Sequence, residues 1–186
     1  MSPLLKLSSA LTALLLLHVC TSAHFSLAIS DQQIQQICAC TNANITNGCI
    51  QFLTDADGFK SAPDVKKLAP LVIGILSDTV NETSNYTNYL KKGKSDKGDD
   101  KLGKLYIGCA ELYDRASAEV HVALEAAKAG NVAVAKDQLE ESREDVHDCL
   151  IGARELNVTD ASYLPARNEI VEALLDIATC VIKFAS

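Results

Sequence analysis

The residues able to perform acid, base or nucleophilic chemistry are few in this sequence, and none is spaced for catalysis. Past residue 23, histidine occurs at His24, His121 and His147, without the H-x-x-x-H spacing that suggests a metal site. A hydrolase needs a nucleophile beside a base, a pair of carboxylates, or a bound metal. We therefore expect no catalytic residues, no metal site and no cofactor, and a protein that is not an enzyme.

Three other sequence patterns could suggest a catalytic or phosphate-binding site, and each has a simpler interpretation. The acidic pairs Glu140–Glu141 and Glu144–Asp145 fit a solvated helix face. In His147-Asp148-Cys149 the cysteine is expected to be oxidised, and an oxidised cysteine is not a nucleophile. Residues 91–104 (KKGKSDKGDDKLGK) are rich in Gly and Lys but lack the G-x-x-x-x-G-K-[ST] spacing of a phosphate loop, so we interpret them as an exposed linker.

The first 23 residues have the pattern of a signal peptide. Lys6 precedes a leucine-rich run at 11–19, and small residues follow at 21–23. The run is shorter than the roughly 20 apolar residues that a membrane span needs. We predict cleavage after Ala23, with Ala28 as an alternative, which makes residues 24–186 the mature domain without a membrane anchor.

Glycosylation motifs and cysteines also point to secretion. Four sequons of the form N-x-[ST] begin at Asn44, Asn81, Asn85 and Asn157. Beyond the leader six cysteines remain, an even number that allows up to three disulfides. They are Cys38, Cys40, Cys49, Cys109, Cys149 and Cys180.

The mature chain is acidic. The leader holds one of the 17 Lys and Arg residues and none of the 24 Asp and Glu residues, which leaves a formal charge of −8. Nucleic acids select clustered cations, so a nucleic-acid partner is excluded. A basic protein surface is the electrostatically suitable partner.

Helical periodicity dominates the mature sequence, and strand signals are nearly absent. Four long helices are predicted, at about Val65–Leu90, Leu102–Ala129, Val132–Ile151 and Ser162–Phe184. In the fourth helix we place Ile170, Leu174, Ile177 and Val181 on the buried seam. The fold predicted is all-α: an up-down-up-down four-helix bundle at 63–186, preceded by a short helical hairpin at 30–62 and stapled by disulfides.

Distances from the Gly130 turn suggest one disulfide. Cys109 lies 21 residues before Gly130 and Cys149 lies 19 residues after it, so the two cysteines sit at nearly the same height in an antiparallel hairpin. Cys49 is close in sequence to both Cys38 and Cys40 and can pair with either. Whichever of Cys38 and Cys40 does not pair with Cys49 can then pair with Cys180. Alternatively, Cys180 is a free buried thiol.

The cysteines and their neighbours resemble the plant invertase and pectin methylesterase inhibitor family. One matching segment is Ile34-x-x-x-Cys38-x-x-Thr41, followed by Cys49. The other is Cys109-x-x-Leu112-Tyr113-x-x-Ala116, followed by Ala123-Leu124, a Gly turn, Ala135, Leu139 and Cys149. The resemblance implies a hairpin bridge and a bridge between Cys109 and Cys149. For the hairpin bridge, Cys40 to Cys49 keeps the commoner spacing of the family, while the Cys-x-x-Thr match slightly favours Cys38 with Cys49. Cys40 is an extra cysteine relative to this pattern.

Membership would imply a secreted protein that blocks the substrate cleft of a carbohydrate-active enzyme in the apoplast or cell wall. Some invertase inhibitors carry Pro-Lys-Phe at the turn after the second bundle helix, where this chain reads Gly130-Asn131-Val132-Ala133-Val134. This difference favours pectin methylesterase as the target, with a cell-wall or vacuolar acid invertase as the alternative. A lipid-binding or purely structural helical protein is a third class, although the adjacent cysteines typical of lipid carriers are absent.

We expect a 1:1 complex with the target, made through polar residues of the second and third bundle helices. The candidate contact residues are Arg115, Glu119, Lys136, Glu140 and Arg143.

Overall fold

The computed structural model describes residues 28–55, 58–59, 61–94, 101–156 and 162–186; the predicted signal peptide, His24 and the Asn157 sequon lie outside them. Within these residues the chain forms a short pair of helices and four long, mutually packed ones, which confirms the all-α prediction. They are α1 (Asp31–Cys38), α2 (Thr46–Asp55), α3 (Val65–Lys94), α4 (Lys101–Lys128), α5 (Val132–Glu155) and α6 (Leu164–Ala185).

The N-terminal pair begins at a capping box. The Ser30 hydroxyl accepts a hydrogen bond from the Gln33 backbone N–H at 3.2 Å, and the Gln33 side chain accepts one from the Ser30 N–H at 3.0 Å. This reciprocal arrangement satisfies two backbone donors at the start of α1. Ile34 and Ile37 of α1 and Leu53 of α2 are buried, and α1 packs against both α2 and α6.

The four long helices form a closed ring in which α3 packs on α4, α4 on α5, α5 on α6 and α6 on α3. At the start of α3 the Asp64 carboxylate accepts a hydrogen bond from the Lys67 N–H at 2.9 Å, as an N-cap does. The interior is filled mainly by aliphatic side chains, together with the buried rings of Tyr106 and Tyr113. Its largest fully buried members in the bundle are Leu68, Ile73, Leu76, Tyr113, Leu139, Leu164, Leu175 and Ile182.

The turn between α4 and α5 is as short as the sequence predicts. Gly130 has a φ of +76°, a left-handed conformation that glycine adopts at little cost. The Asn131 N–H donates to the Ala126 carbonyl at 2.8 Å, and the Asn131 side chain accepts from the Val134 N–H at 3.4 Å. One glycine and one cap therefore close α4 and open α5 as an antiparallel pair.

Two expectations from the sequence are wrong in detail. The linker predicted at 91–104 is helical at both its described ends, since α3 continues to Lys94 and α4 begins at Lys101. Lysine and leucine favour helix, and their propensity outweighs that of isolated glycines. Ile170, placed on the buried seam of α6, is 55% exposed. The other three residues of the predicted seam, Leu174, Ile177 and Val181, are buried. Because α6 is apolar on more than one side, the core also receives the neighbouring series Val171, Leu175, Ala178 and Ile182.

None of the helices in the described part of the chain is both long and apolar enough to cross a membrane.

Candidate functional surface

Three disulfides fix the framework on which any functional surface must lie. Cys38 is bonded to Cys49 within the N-terminal pair, with Cα atoms 5.6 Å apart. Cys109 of α4 is bonded to Cys149 of α5, with Cα atoms 4.9 Å apart. The third bridge joins Cys40 to Cys180 near the end of α6, with Cα atoms 5.8 Å apart, and so fastens the pair to the bundle.

A buried polar junction lies beside the disulfide between α4 and α5. The Tyr113 hydroxyl donates a hydrogen bond to the Asn168 side-chain oxygen, and the Asn168 amide lies 3.6 Å from the Cys149 sulfur. Burial, and to a lesser degree the charge of Glu172, raises the pKa of Tyr113, so this hydroxyl remains a proton donor. The junction joins α4, α5 and α6 at one level and makes their packing specific.

Two of the candidate contact residues, Arg115 and Glu119, lie at the outer seam between α4 and α5. Arg115 binds Asp145 through two hydrogen bonds, of which the one from Nε is 3.0 Å long. Glu119 lies one turn along α4, and one of its carboxylate oxygens is buried without a hydrogen-bond partner. Burial, with the nearby charges of Asp145 and Glu141, raises the pKa of Glu119 to about 7.

The other three candidates lie on the side of α5 that faces α6. Lys136 and Glu140 form an exposed ion pair at 3.5 Å along one helix. Arg143 donates to the carboxylate of Asp176 and, at 3.2 Å, to the Thr179 hydroxyl, so it joins α5 to α6. The five candidates therefore form two groups on either side of α5 rather than one patch.

The outer face of α5, between these two groups, is strongly acidic. Four exposed carboxylates spaced by four, three and four residues form what we call the acidic stripe: Asp137, Glu141, Glu144 and Asp148. From the sequence, Glu141 and Glu144 are expected to form part of a plain solvated helix face. Their helical spacing is the signal that would have identified the stripe.

The structure describes two of the histidines and three of the sequon asparagines considered in the sequence. His121 is exposed, and His147 Nδ1 lies 3.4 Å from Glu172 Oε1 across α5 and α6. The described residues contain no group of three or more side chains that could hold a metal ion. Asn44, Asn81 and Asn85 are all exposed.

Comparison with known proteins agrees with this architecture. The model of the plant invertase/pectin methylesterase inhibitor family matches residues 32–181. A mutant form A of a pectin methylesterase inhibitor from Arabidopsis has a similar crystal structure, with a TM-score of 0.68 and 18% identity over 81% of this chain and 95% of that one. For an inhibitor from Arabidopsis thaliana the TM-score is 0.60, with 17% identity over 85% and 99% of the two chains.

At such identities the structural likeness shows the fold alone, and no curated protein sequence matches significantly. The match to the family model covers most of the chain. The chain therefore belongs to the plant invertase/pectin methylesterase inhibitor family and is a non-enzymatic inhibitor of a pectin methylesterase or an invertase.

Proposed function

We propose that this protein is secreted to the plant cell wall, where it inhibits a pectin methylesterase by covering the substrate cleft in a 1:1 complex. The choice of pectin methylesterase as the target is based on the amino-acid sequence of the α4–α5 turn. Gly130 to Val134 contain neither the proline nor the lysine of the Pro-Lys-Phe motif found in some invertase inhibitors. The nearest described cations, Lys128 and Lys136, are paired with Glu125 and Glu140 of their own helices.

The acidic stripe supports the same target through charge complementarity. A pectin methylesterase acts on a polymer that becomes a polyanion as its esters are cleaved, so its cleft must accommodate carboxylates. An invertase cleft accommodates a neutral sugar and has no such requirement. A protein that presents four carboxylates in line on α5 suits the first kind of cleft better.

Rigidity supports inhibition by occlusion. The bridge between Cys109 and Cys149 and the pair of Arg143 with Asp176 hold α5 to both of its neighbours. A surface that is already ordered loses little conformational entropy on docking, which favours affinity.

The direct test is the residual activity of a purified pectin methylesterase and, separately, of a purified acid invertase after addition of the secreted protein. We expect inhibition of the methylesterase and none of the invertase. Inhibition of the invertase alone would overturn the choice of target. Inhibition of neither would overturn the inhibitory role altogether.

Charge reversal tests the docking face. The double substitution Glu141→Lys/Glu144→Lys should weaken inhibition by about tenfold or more, because like charges would then face each other across the interface. Asp78→Lys/Glu169→Lys, at exposed positions of α3 and α6, changes the net charge by the same amount and is the matched control, which should leave inhibition unchanged. Equal losses in the two variants would show that net charge, and not the acidic stripe, matters.

The five candidate contact residues remain part of the proposal, and the structure ranks them for testing. Lys136 and Glu140 are exposed and paired only along their own helix, so alanine substitution at either tests contact with little effect on packing. Substitution of Arg115 or Arg143 also removes a tie between helices. For these two arginines, inhibition must be compared with thermal stability before a contact is inferred.

A further inference from the structure

Three tyrosines form an exposed aromatic surface where α3 meets α6, which we call the tyrosine platform: Tyr86, Tyr89 and Tyr163. The rings of Tyr86 and Tyr89 are stacked, with centroids 6.5 Å apart and planes 23° apart. The Arg167 guanidinium lies 5.0 Å from the Tyr86 ring centre, over its face. The Tyr86 hydroxyl accepts a hydrogen bond from the Tyr163 N–H at 3.2 Å.

The platform contains all the tyrosines of this chain that are not buried. The sequence holds five tyrosines, of which Tyr106 and Tyr113 are buried. The other three make up the platform, with Tyr89 71% and Tyr163 78% exposed. An open groove of about 400 Å³ is lined by Tyr86 and Tyr163, together with Glu82, Arg167 and Ile170. Apolar surface gathered in this way indicates a site that something covers.

A predicted glycosylation site lies next to the platform. Asn85 is exposed, precedes Tyr86 directly and precedes Tyr89 by four residues on the same helix. Side chains on a helix lean toward its N-terminus, so the ring of a residue at i+4 lies back over residue i. A sugar on Asn85 would therefore start beside the Tyr89 ring. The neighbouring sequon differs, because the Asn81 side chain accepts a hydrogen bond from Ser117 and so faces α4.

We propose that an N-linked glycan on Asn85 packs its first sugar rings on the tyrosine platform. The hydrogen-rich face of a pyranose ring fits the face of an aromatic ring, and Arg167 and Glu82 offer hydrogen bonds to sugar hydroxyls at the edge of the groove. The glycan is largely neutral, so the acidic charge of the protein does not repel it. This inference rests on secretion and is independent of which enzyme the protein inhibits.

The fold also dictates when the glycan is attached. The Thr87 hydroxyl of this sequon is fully buried and donates to the Ser84 carbonyl at 2.8 Å. It is therefore inaccessible once α3 has packed, so attachment precedes folding. In that step the Asn85 side-chain nitrogen bonds to the anomeric carbon of a lipid-diphosphate-linked oligosaccharide. The nitrogen loses a proton, and the lipid diphosphate leaves with the electrons of the broken bond.

A thermodynamic cycle between the glycan and Tyr89 tests the contact. The secreted protein is made with Asn85 as its single sequon, by changing Asn44, Asn81 and Asn157 to Gln, and again with Asn85→Gln added. Tyr89→Ala is then introduced into both. We expect it to lower the thermal midpoint by about 2–4 °C in the glycosylated form, the effect of one aromatic contact in a protein of this size. In the unglycosylated form Tyr89→Ala removes only the stacking on Tyr86, so the loss should be clearly smaller than in the glycosylated form.

Two controls sharpen the result. A protein with Asn44 as its single sequon carries a glycan away from the platform, and there Tyr89→Ala should behave as in the unglycosylated form. Tyr89→Phe retains the ring and should retain the stabilisation by the glycan. Equal effects of Tyr89→Ala with and without the Asn85 glycan would overturn the proposal. So would an intact mass of the secreted wild-type and single-sequon proteins showing Asn85 unmodified.

Discussion

The carboxyl group of Glu119 should make this protein less stable at neutral pH than at acid pH, and Glu119→Gln should remove that loss. One of its oxygens is buried without a partner, and Asp145 lies nearby on α5. Burial first, and then the charge of Asp145, raises the pKa of Glu119 to about 7 in the folded protein. In the unfolded chain the pKa of a glutamate is about 4.3.

The sign of the effect follows from which state releases its proton first. Below about pH 4 the carboxyl is protonated in both states and the pH has no influence through it. Between about pH 4.3 and 7 the unfolded chain has lost the proton while the folded protein retains it, so stability falls as the pH rises. Above the folded pKa the loss is complete and constant.

Solvent screening limits how much the ionisation of Glu119 lowers the free energy of unfolding. The difference between the two pKa values corresponds to roughly 4 kcal/mol for a fully buried group. Because part of Glu119 faces water, we reduce this to about 1 kcal/mol. Glutamine keeps the shape and stays neutral, so Glu119→Gln should raise the thermal midpoint at pH 7.5 by about 2–4 °C and leave it unchanged at pH 4.

Thermal unfolding at both pH values, followed by circular dichroism, measures the effect. Glu111→Gln, which removes an exposed carboxylate from the same helix, is the matched control and should show no such difference between the two pH values. An equal gain for Glu119→Gln at pH 4 and 7.5, or no gain at either, would refute the reasoning.

Three further substitutions test the framework. Tyr113→Phe should lower the free energy of unfolding by about 1–2 kcal/mol in urea titrations, because Asn168 would lose its buried donor; an unchanged urea midpoint would count against the junction. Replacing Cys40 and Cys180 together by Ser opens a bridge spanning 140 residues and should cost up to about 5 kcal/mol, seen in urea as a shift that vanishes when both proteins are reduced. Gly130→Ala, at a φ of +76°, should cost about 1 kcal/mol in the same assay, and a neutral result would mean that the turn adopts another conformation.

Local features of the fold could be predicted because they depend on neighbours in sequence. Gly130 with Asn131 marks the turn, and the near-equal distances to Cys109 and Cys149 suffice to place them side by side, where the structure joins them. The predicted end of α3 at Leu90 is too early, because the helix propensity of the lysines after it outweighs the opposing effect of the glycine among them. Residue type alone does not decide how far a helix continues when both kinds of residue are mixed.

Features that join distant segments could not be predicted in this way. Ile170 and Val171 are equally apolar, and only the position of the neighbouring helices decides which of them is buried. Tyr86 and Arg167 are 81 residues apart and meet because α3 and α6 are neighbours in the ring. The positions of Arg115, Lys136 and Arg143 in the sequence identify polar helix faces. They do not reveal that Arg115 and Arg143 already bind acidic side chains on neighbouring helices.

The concentration of negative charge at the seam of α4 and α5 is better explained by binding than by folding. Glu119 and Asp145 repel one another at a site where Arg115 partly offsets their charge, and the acidic stripe adds four more carboxylates on the same outer surface. Such an arrangement lowers the stability of the isolated protein at neutral pH. Sequences tend to depart from the most stable solution where a surface serves another purpose. A basic partner that docked on this face would reduce the repulsion, so the same carboxylates that weaken the free protein would strengthen the complex we propose.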